Sequence, residues 1–155
     1  MKNISSMILP TMIIVIFMAE CSNNNTENRP PEILWGTDVC DECRMIINES
    51  RFASAYITEN REIRRFDDIG CMITFENETA ENVQKRWFRD FYDDIWIKPP
   101  EAFIFHSAEI ITPMASGLIS LNSSDGVQQL KNRYSGQLIP ADSLRNPEYH
   151  FQEYN

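Results

Sequence analysis

Residues 52–82, FASAYITENREIRRFDDIGCMITFENETAEN, read in succession as strand, turn, strand and helix. In Phe52–Thr58 the side chains of Phe52, Ser54 and Tyr56 fall on one face and Ala53, Ala55 and Ile57 on the other, the two-residue period of a strand. Asn60-Arg61 suits a turn, and Glu62–Phe66 extends again. Asp67-Asp68 offers an N-cap to a helix running to about Asn82, with Ile69, Met72, Ile73 and Phe75 as its apolar positions. Working outward, Lys85–Tyr92 predicts a returning strand that alternates Trp87, Arg89 and Phe91 against Phe88 and Asp90. Upstream, Met45–Asn48 predicts a short strand.

The same order recurs downstream. Ala102–Ser107 and Gly117–Leu121 predict strands, and Ser123, Ser124 and Asp125 cap a helix through Tyr134 that stops at Gly136. Gln137–Ile139 predicts a short strand, and Asp142–Arg145 a helical turn. The fold class is therefore α+β: two related strand-strand-helix-strand halves packed as one compact domain over residues 33–145, followed by an irregular tail, 146–155. Sequence identity between the halves is negligible, so the repeat rests on pattern alone.

Residues 1–20 read as a signal for export. Lys2 is the only early basic residue, and an apolar run from Met7 to Ala19, broken by Pro10, is shorter than the ~20 residues that span a bilayer. Met18-Ala19-Glu20-Cys21 resembles the lipobox of bacterial lipoproteins, with Cys21 as the acylated residue. Residues 21–32 then form a polar, Asn-rich spacer closed by Pro30-Pro31, which cannot bury apolar surface. The expectation is an exported domain tethered by lipid to the extracytoplasmic face of a bacterial membrane; the alternative is an uncleaved signal anchor. With Cys21 lipidated, an odd number of cysteines is left, whereas a disulfide framework wants an even one.

Fourteen basic against 23 acidic residues give a formal charge of −9. Such a balance excludes nucleic acid and an anionic membrane face as partners, and leaves room for cations or a basic protein. The aromatics Trp35, Trp87, Phe91 and Trp96 are interleaved with acid, not with base. No Gly-rich phosphate loop, Ser/His/Asp ordering or His-x-x-x-His motif is present, and Asp67, Asp68, Asp90, Asp93 and Asp94 read as caps and turns. The chain does not read as an enzyme.

The chain has four Cys and seven Met. Beyond the leader these reduce to Cys40, Cys43, Cys71, Met45, Met72 and Met114, and they come in Cys40-Asp41-Glu42-Cys43-Arg44-Met45 and Cys71-Met72. Thiolate plus thioether is a soft donor set that suits Cu(I) better than Zn(II), Mg(II) or Ca(II). For any one of these residues a core position is the simpler reading; the cluster is what points to metal. Cys71, near the start of the predicted helix, stands to gain from the helix dipole, with Arg44, Arg64 and Arg65 compensating charge. Met114, in the turn Thr112-Pro113-Met114-Ala115, either caps the core or crosses to the cysteines of the first half. A zinc site needs a fourth ligand, for which His106 is the only plausible imidazole, though a strand-end role suits it better. A Cys-x-x-Cys pair also allows a membrane-tethered thiol-disulfide oxidoreductase acting on a copper-site partner. Against it, such a motif opens a helix, and the sequence after Cys43 reads as extended.

Cys40-x-x-Cys43-x-Met45 followed by Arg65-Phe66-Asp67-Asp68-Ile69-Gly70-Cys71-Met72 resembles the NosL-type accessory lipoproteins of nitrous oxide reductase. So do Asp90-Phe91-Tyr92 with Trp96, then Glu101-Ala102-Phe103-Ile104, Thr112-Pro113-Met114 and the closing Gly136, a span from about Val39 to Leu144. Arg44 and Ala115 stand where the family often has glycine. The resemblance implies two related halves and a membrane-anchored extracytoplasmic Cu(I) chaperone that helps assemble the copper-sulfide centre of nitrous oxide reductase. Its ligands would come from Cys40, Cys43, Met45, Cys71, Met72 and Met114. The recipient, apo nitrous oxide reductase or another copper-accepting protein, is less fixed by the resemblance than the cargo.

Overall fold

The computed structural model describes residues 29–144. The export signal over 1–20, lipidation of Cys21, most of the 21–32 spacer and the 146–155 tail lie outside the described residues. Seven strands and two helices follow one another as β1 (Ser54–Thr58), β2 (Ile63–Phe66), α1 (Ile69–Thr79), β3 (Val83–Arg89), β4 (Trp96–Ile97), β5 (Phe103–His106), β6 (Leu118–Leu121), α2 (Ser124–Arg133) and β7 (Gln137–Ile139). Two antiparallel sheets result, ordered β2-β1-β3-β4 and β6-β5-β7.

The first strand of each half is central, its hairpin partner lies on one side, and the strand after the helix lies on the other. The strand-strand-helix-strand repeat read from the sequence is thus a repeat of topology. Both helices start on the side chains expected to cap them: Asp68 accepts from Gly70 N at 2.6 Å, and Ser123 from Gly126 N at 3.2 Å. The halves join where Asp90 makes a parallel bridge to Ser120. There Phe91 N donates to Ser120 O, and Ser120 Oγ donates to Arg89 O at 2.5 Å. One apolar core runs through the join, combining Phe66, Ile69, Met72 and Phe88 with Ile104, Leu118 and Ile139. A second cluster, including Phe105, Ile119, Val127 and Leu130, seats α2.

Four expectations need correction. Met45–Asn48 is not a strand; only Ile46 pairs, in a single bridge to Val39. The turn containing the two cysteines uses up the residues that a hairpin would need to grow. Phe52 sits in a 3-10 turn, Ser50–Phe52, ahead of β1. Helix α1 stops at Thr79 because Ala80 takes the left-handed conformation (φ 51°), three residues short of Asn82. The strand predicted to run to Tyr92 ends at Arg89, where Asp90 turns the chain by accepting from Tyr92 N and Asp93 N. Strand β4 is only two residues long, too short for a period to show.

Candidate metal centre

Cys40 and Cys43 sit in a tight turn beneath the Val39–Ile46 bridge. Cys40 N donates to Met45 O (2.8 Å), and Arg44 N donates back to Cys40 O (3.1 Å). Arg44 closes the turn at φ 65°. Asp41 docks this turn on β2, one of the two edge strands of the first sheet. Its N–H donates to Arg65 O (2.9 Å), and its carboxylate accepts from Arg65 N (2.7 Å). Docking at the end of β2 brings the turn to the next residues of the chain, Asp67 and the first turn of α1, where Cys71 lies.

There Cys40, Cys43, Cys71 and Asp67 present Sγ and carboxylate oxygen atoms that all lie within 4.8 Å of one another. All three cysteines are free thiols. Cys40, Cys71 and Asp67 are buried, and Cys43 is partly exposed. The Cys43 thiol donates to Asp67, at 3.3 Å to Oδ2 and 3.5 Å to Oδ1. A hydrogen bond from the Cys71 thiol, helped by the backbone N–H groups of Asp67 and Cys43, outweighs burial and lowers the Cys40 pKa to about 7. Cys71, which supplies that proton and is itself desolvated beside Cys40, is pushed upward. Burial pushes Cys43 up to about 12. Of the three, Cys40 is the sulfur that ionises first, around neutral pH, while Cys43 and Cys71 keep their protons, so cation binding to this sulfur nest displaces protons.

At Cys71 the hydrogen bond to Cys40 and burial outweigh any gain from the helix dipole, and the arginines near it are already engaged. Arg64 is engaged by Glu62 and Glu81, at 2.5 and 2.6 Å, and Arg65 by Asp38 and Glu32 O. Backbone amides and a neighbouring thiol do the work at Cys40 instead.

Asp68 ties the second half to this site. Its buried carboxylate caps α1 and also accepts from Thr112 Oγ1 (2.5 Å), Ser116 Oγ (2.5 Å) and Met114 N (3.1 Å). Gly70 lets the loop come so near: a Cβ there would stand 2.5 Å from Ser116 Cβ. Met114 is thus held on the residue next to Asp67, with its side chain 45% exposed. Met45 is equally exposed on the last residue of the cysteine turn. Met72 is fully buried and lines a cavity with Ile73, Phe88, Pro99 and Leu144. His106 ends β5 half-buried, its pKa lowered by desolvation, and is not part of the donor cluster among the described residues.

Asp67 is the residue that sequence reasoning missed, because it was grouped with Asp68 as a cap. Asp67 lies just ahead of the extended N-cap Asp68, outside α1, so no helical spacing in the sequence ties it to Cys71.

A profile of the NosL family matches residues 32–148 of this chain. No curated protein matches. The fold is similar to the crystal structure of the copper chaperone NosL from Shewanella denitrificans, with a TM-score of 0.61 at 16% identity, covering 72% of this chain and 92% of that one.

Proposed function

Since the chain belongs to the NosL family, we propose that it is a non-enzymatic Cu(I) chaperone, tethered by lipid on Cys21 outside the cytoplasm, which supplies copper for the copper-sulfide centre of nitrous oxide reductase. The observation that carries this reading is the gathering of Cys40, Cys43 and Cys71, free and with their sulfurs within 4.8 Å of one another, from two distant stretches of chain. A closed-shell, polarizable ion that accepts low coordination numbers matches such a nest. The half-exposed thioethers of Met45 and Met114 offer a softer, proton-independent step between the buried thiolates and a recipient. Among the described residues no helix is long and apolar enough to cross a membrane.

The oxidoreductase alternative is the weaker one. A dithiol that attacks substrate disulfides needs an accessible, low-pKa sulfur. Here the low-pKa sulfur, Cys40, is fully buried, and the accessible one, Cys43, is pushed up to about 12.

The test is an anaerobic Cu(I) titration of the reduced protein against a competing chelator. Loss of an outer partner of a metal site costs 10–100-fold, so Cys71→Ser should weaken binding by more than about 100-fold and Met114→Ala by about 10-fold. Unchanged affinity in both variants removes these residues from the site. Delivery is tested separately by incubating the loaded chain with apo nitrous oxide reductase. Copper must leave the chaperone for the enzyme; retention on the chaperone contradicts that recipient.

A further inference from the structure

Arg89 is only 9% exposed, yet it lines a cleft that shares no residue with the sulfur cluster. The cleft measures about 600 Å³, within the roughly 300–1,000 Å³ of small-ligand sites. Leu34, Trp35, Trp96, Glu32 and Thr37 line it with Arg89. Arg89 on β3 lies directly across from Trp96 on β4, so the two side chains share a face, with the guanidinium 5.1 Å from the indole centre. The segment ahead of the cysteine turn supplies the second indole. Asp38 N donates to Leu34 O (2.8 Å) and Gly36 N to Ile47 O (2.9 Å), and the strap so formed brings Trp35 to 5.6 Å from the same guanidinium. That guanidinium is only partly used. Nη2 donates to Asp94 O (2.6 Å) and to the Asp94 carboxylate, whereas Nε is buried with no hydrogen-bond partner among the described residues. A buried donor left unpaired is costly, and the exceptions call for a reason. We infer that this cleft binds an uncharged saccharide, whose ring lies on the indole faces and one of whose oxygens accepts from Arg89 Nε.

The ligand class follows from charge and from the kinds of group present. Asp94 already neutralises Arg89, so the guanidinium has no charge to spare for an anion. Glu32 at the cleft and a net charge of −9 repel one further. A cation would meet the guanidinium. A neutral ligand meets neither penalty. Among neutral ligands, a plain aromatic ring would stack on the indoles but leave the polar groups unanswered. Glu32 offers acceptors, Thr37 a hydroxyl and Arg89 a donor. A ring that carries several hydroxyls donates to the first and accepts from the last, while its apolar C–H face covers indole. The cleft is also wet: Trp35 is 41% exposed, which suits a heavily hydrated ligand. Trp35, carried on the strap, is the side chain that shifts to admit the sugar oxygen to Nε. A stack that served only to pin the strap would have no use for open volume beside an unpaired donor.

The experiment titrates the full chain with cellotetraose and with chitotetraose, two neutral β-linked tetrasaccharides, and follows the indole N–H signals of the three tryptophans by NMR. Saturable shifts at Trp35 and Trp96 are expected, with Trp87, 1% exposed, unmoved. The Nε–H signal of Arg89 should move downfield as it gains an acceptor. Trp35→Ala, at an exposed position on the strap, should weaken binding about threefold to tenfold. Arg89→Lys keeps the charge but loses the guanidinium Nε–H, and should weaken binding about tenfold. Where Arg89→Lys folds poorly, the Nε–H signal of the wild-type chain supplies the same reading without a variant. No saturable shift with either sugar overturns the assignment. So do affinities undiminished in Trp35→Ala, an Arg89 Nε–H signal that stays put at saturation, or saturation by phenol or benzoate where neither sugar binds.

Discussion

Arg44 holds φ at 65° and Ala115 at 57°, a region where any Cβ crowds the following carbonyl at a cost of about 1–2 kcal/mol. These are the positions at which the resemblance led one to expect glycine, so the sequence departs from the family while the backbone does not. Arg44→Gly should therefore stabilise the fold by about 1 kcal/mol, read as a higher denaturation midpoint with an unchanged slope. A lower midpoint would mean that the Arg44 side chain matters more than its strain. Cys40 gives a second residue-scale prediction. With its pKa lowered to about 7, thiolate absorbance in the metal-free protein should rise by one equivalent around pH 7 and vanish in Cys40→Ser. The linked stability follows in sign. A depressed acid stabilises fully above its unfolded pKa, near 9, and loses that contribution as pH falls through 7. Cys43 and Cys71, both raised, withdraw stability only above pH 9. Metal-free protein should accordingly gain stability from these thiols between pH 7 and 9. At this scale the donors Cys40, Cys43 and Cys71 were legible from softness and spacing. Asp67 was not, because two adjacent aspartates before a helix look like one cap until the helix shows that only Asp68 faces its N–H groups.

At the scale of elements, one short helix start does two things: α1 presents Cys71 to the cysteine turn and, through Asp68, clamps the loop that carries Met114. Asp68→Ala removes the cap, worth about 1 kcal/mol, and takes the charged acceptor from the buried Thr112 and Ser116 hydroxyls, at about 1 kcal/mol each, leaving them only each other and backbone N–H groups. The expected loss is about 3 kcal/mol in chemical denaturation. A loss below 1 kcal/mol would show that the loop is held by packing instead. The two-residue periods of β1 and β3 and the caps Asp68 and Ser123 were readable because period and capping are local. Strand β4 and the end of α1 were not. Two residues carry no period, and Ala80 takes a left-handed conformation that its side chain gives no reason to expect.

For the whole molecule, two halves of the same topology share one core, and the centre lies where the cysteine turn, β2 and α1 of the first half meet the Met114 loop of the second. The clustered donors come from two separate stretches of the first half, the cysteine turn and the start of α1, which is why pattern reading could propose convergence but not its geometry. Net charge −9 adds a long-range term: association with a basic recipient should slow as ionic strength rises, since steering is screened beyond about 8–10 Å. A salt-independent transfer rate would assign recognition to apolar contact. The most direct measurement of the central claim is X-ray absorption at the copper edge of the full chain loaded with one equivalent of Cu(I). The account predicts a first shell of sulfur only, reduced in number by Cys71→Ser. A shell of nitrogen or oxygen, or one that does not change in that variant, would contradict it.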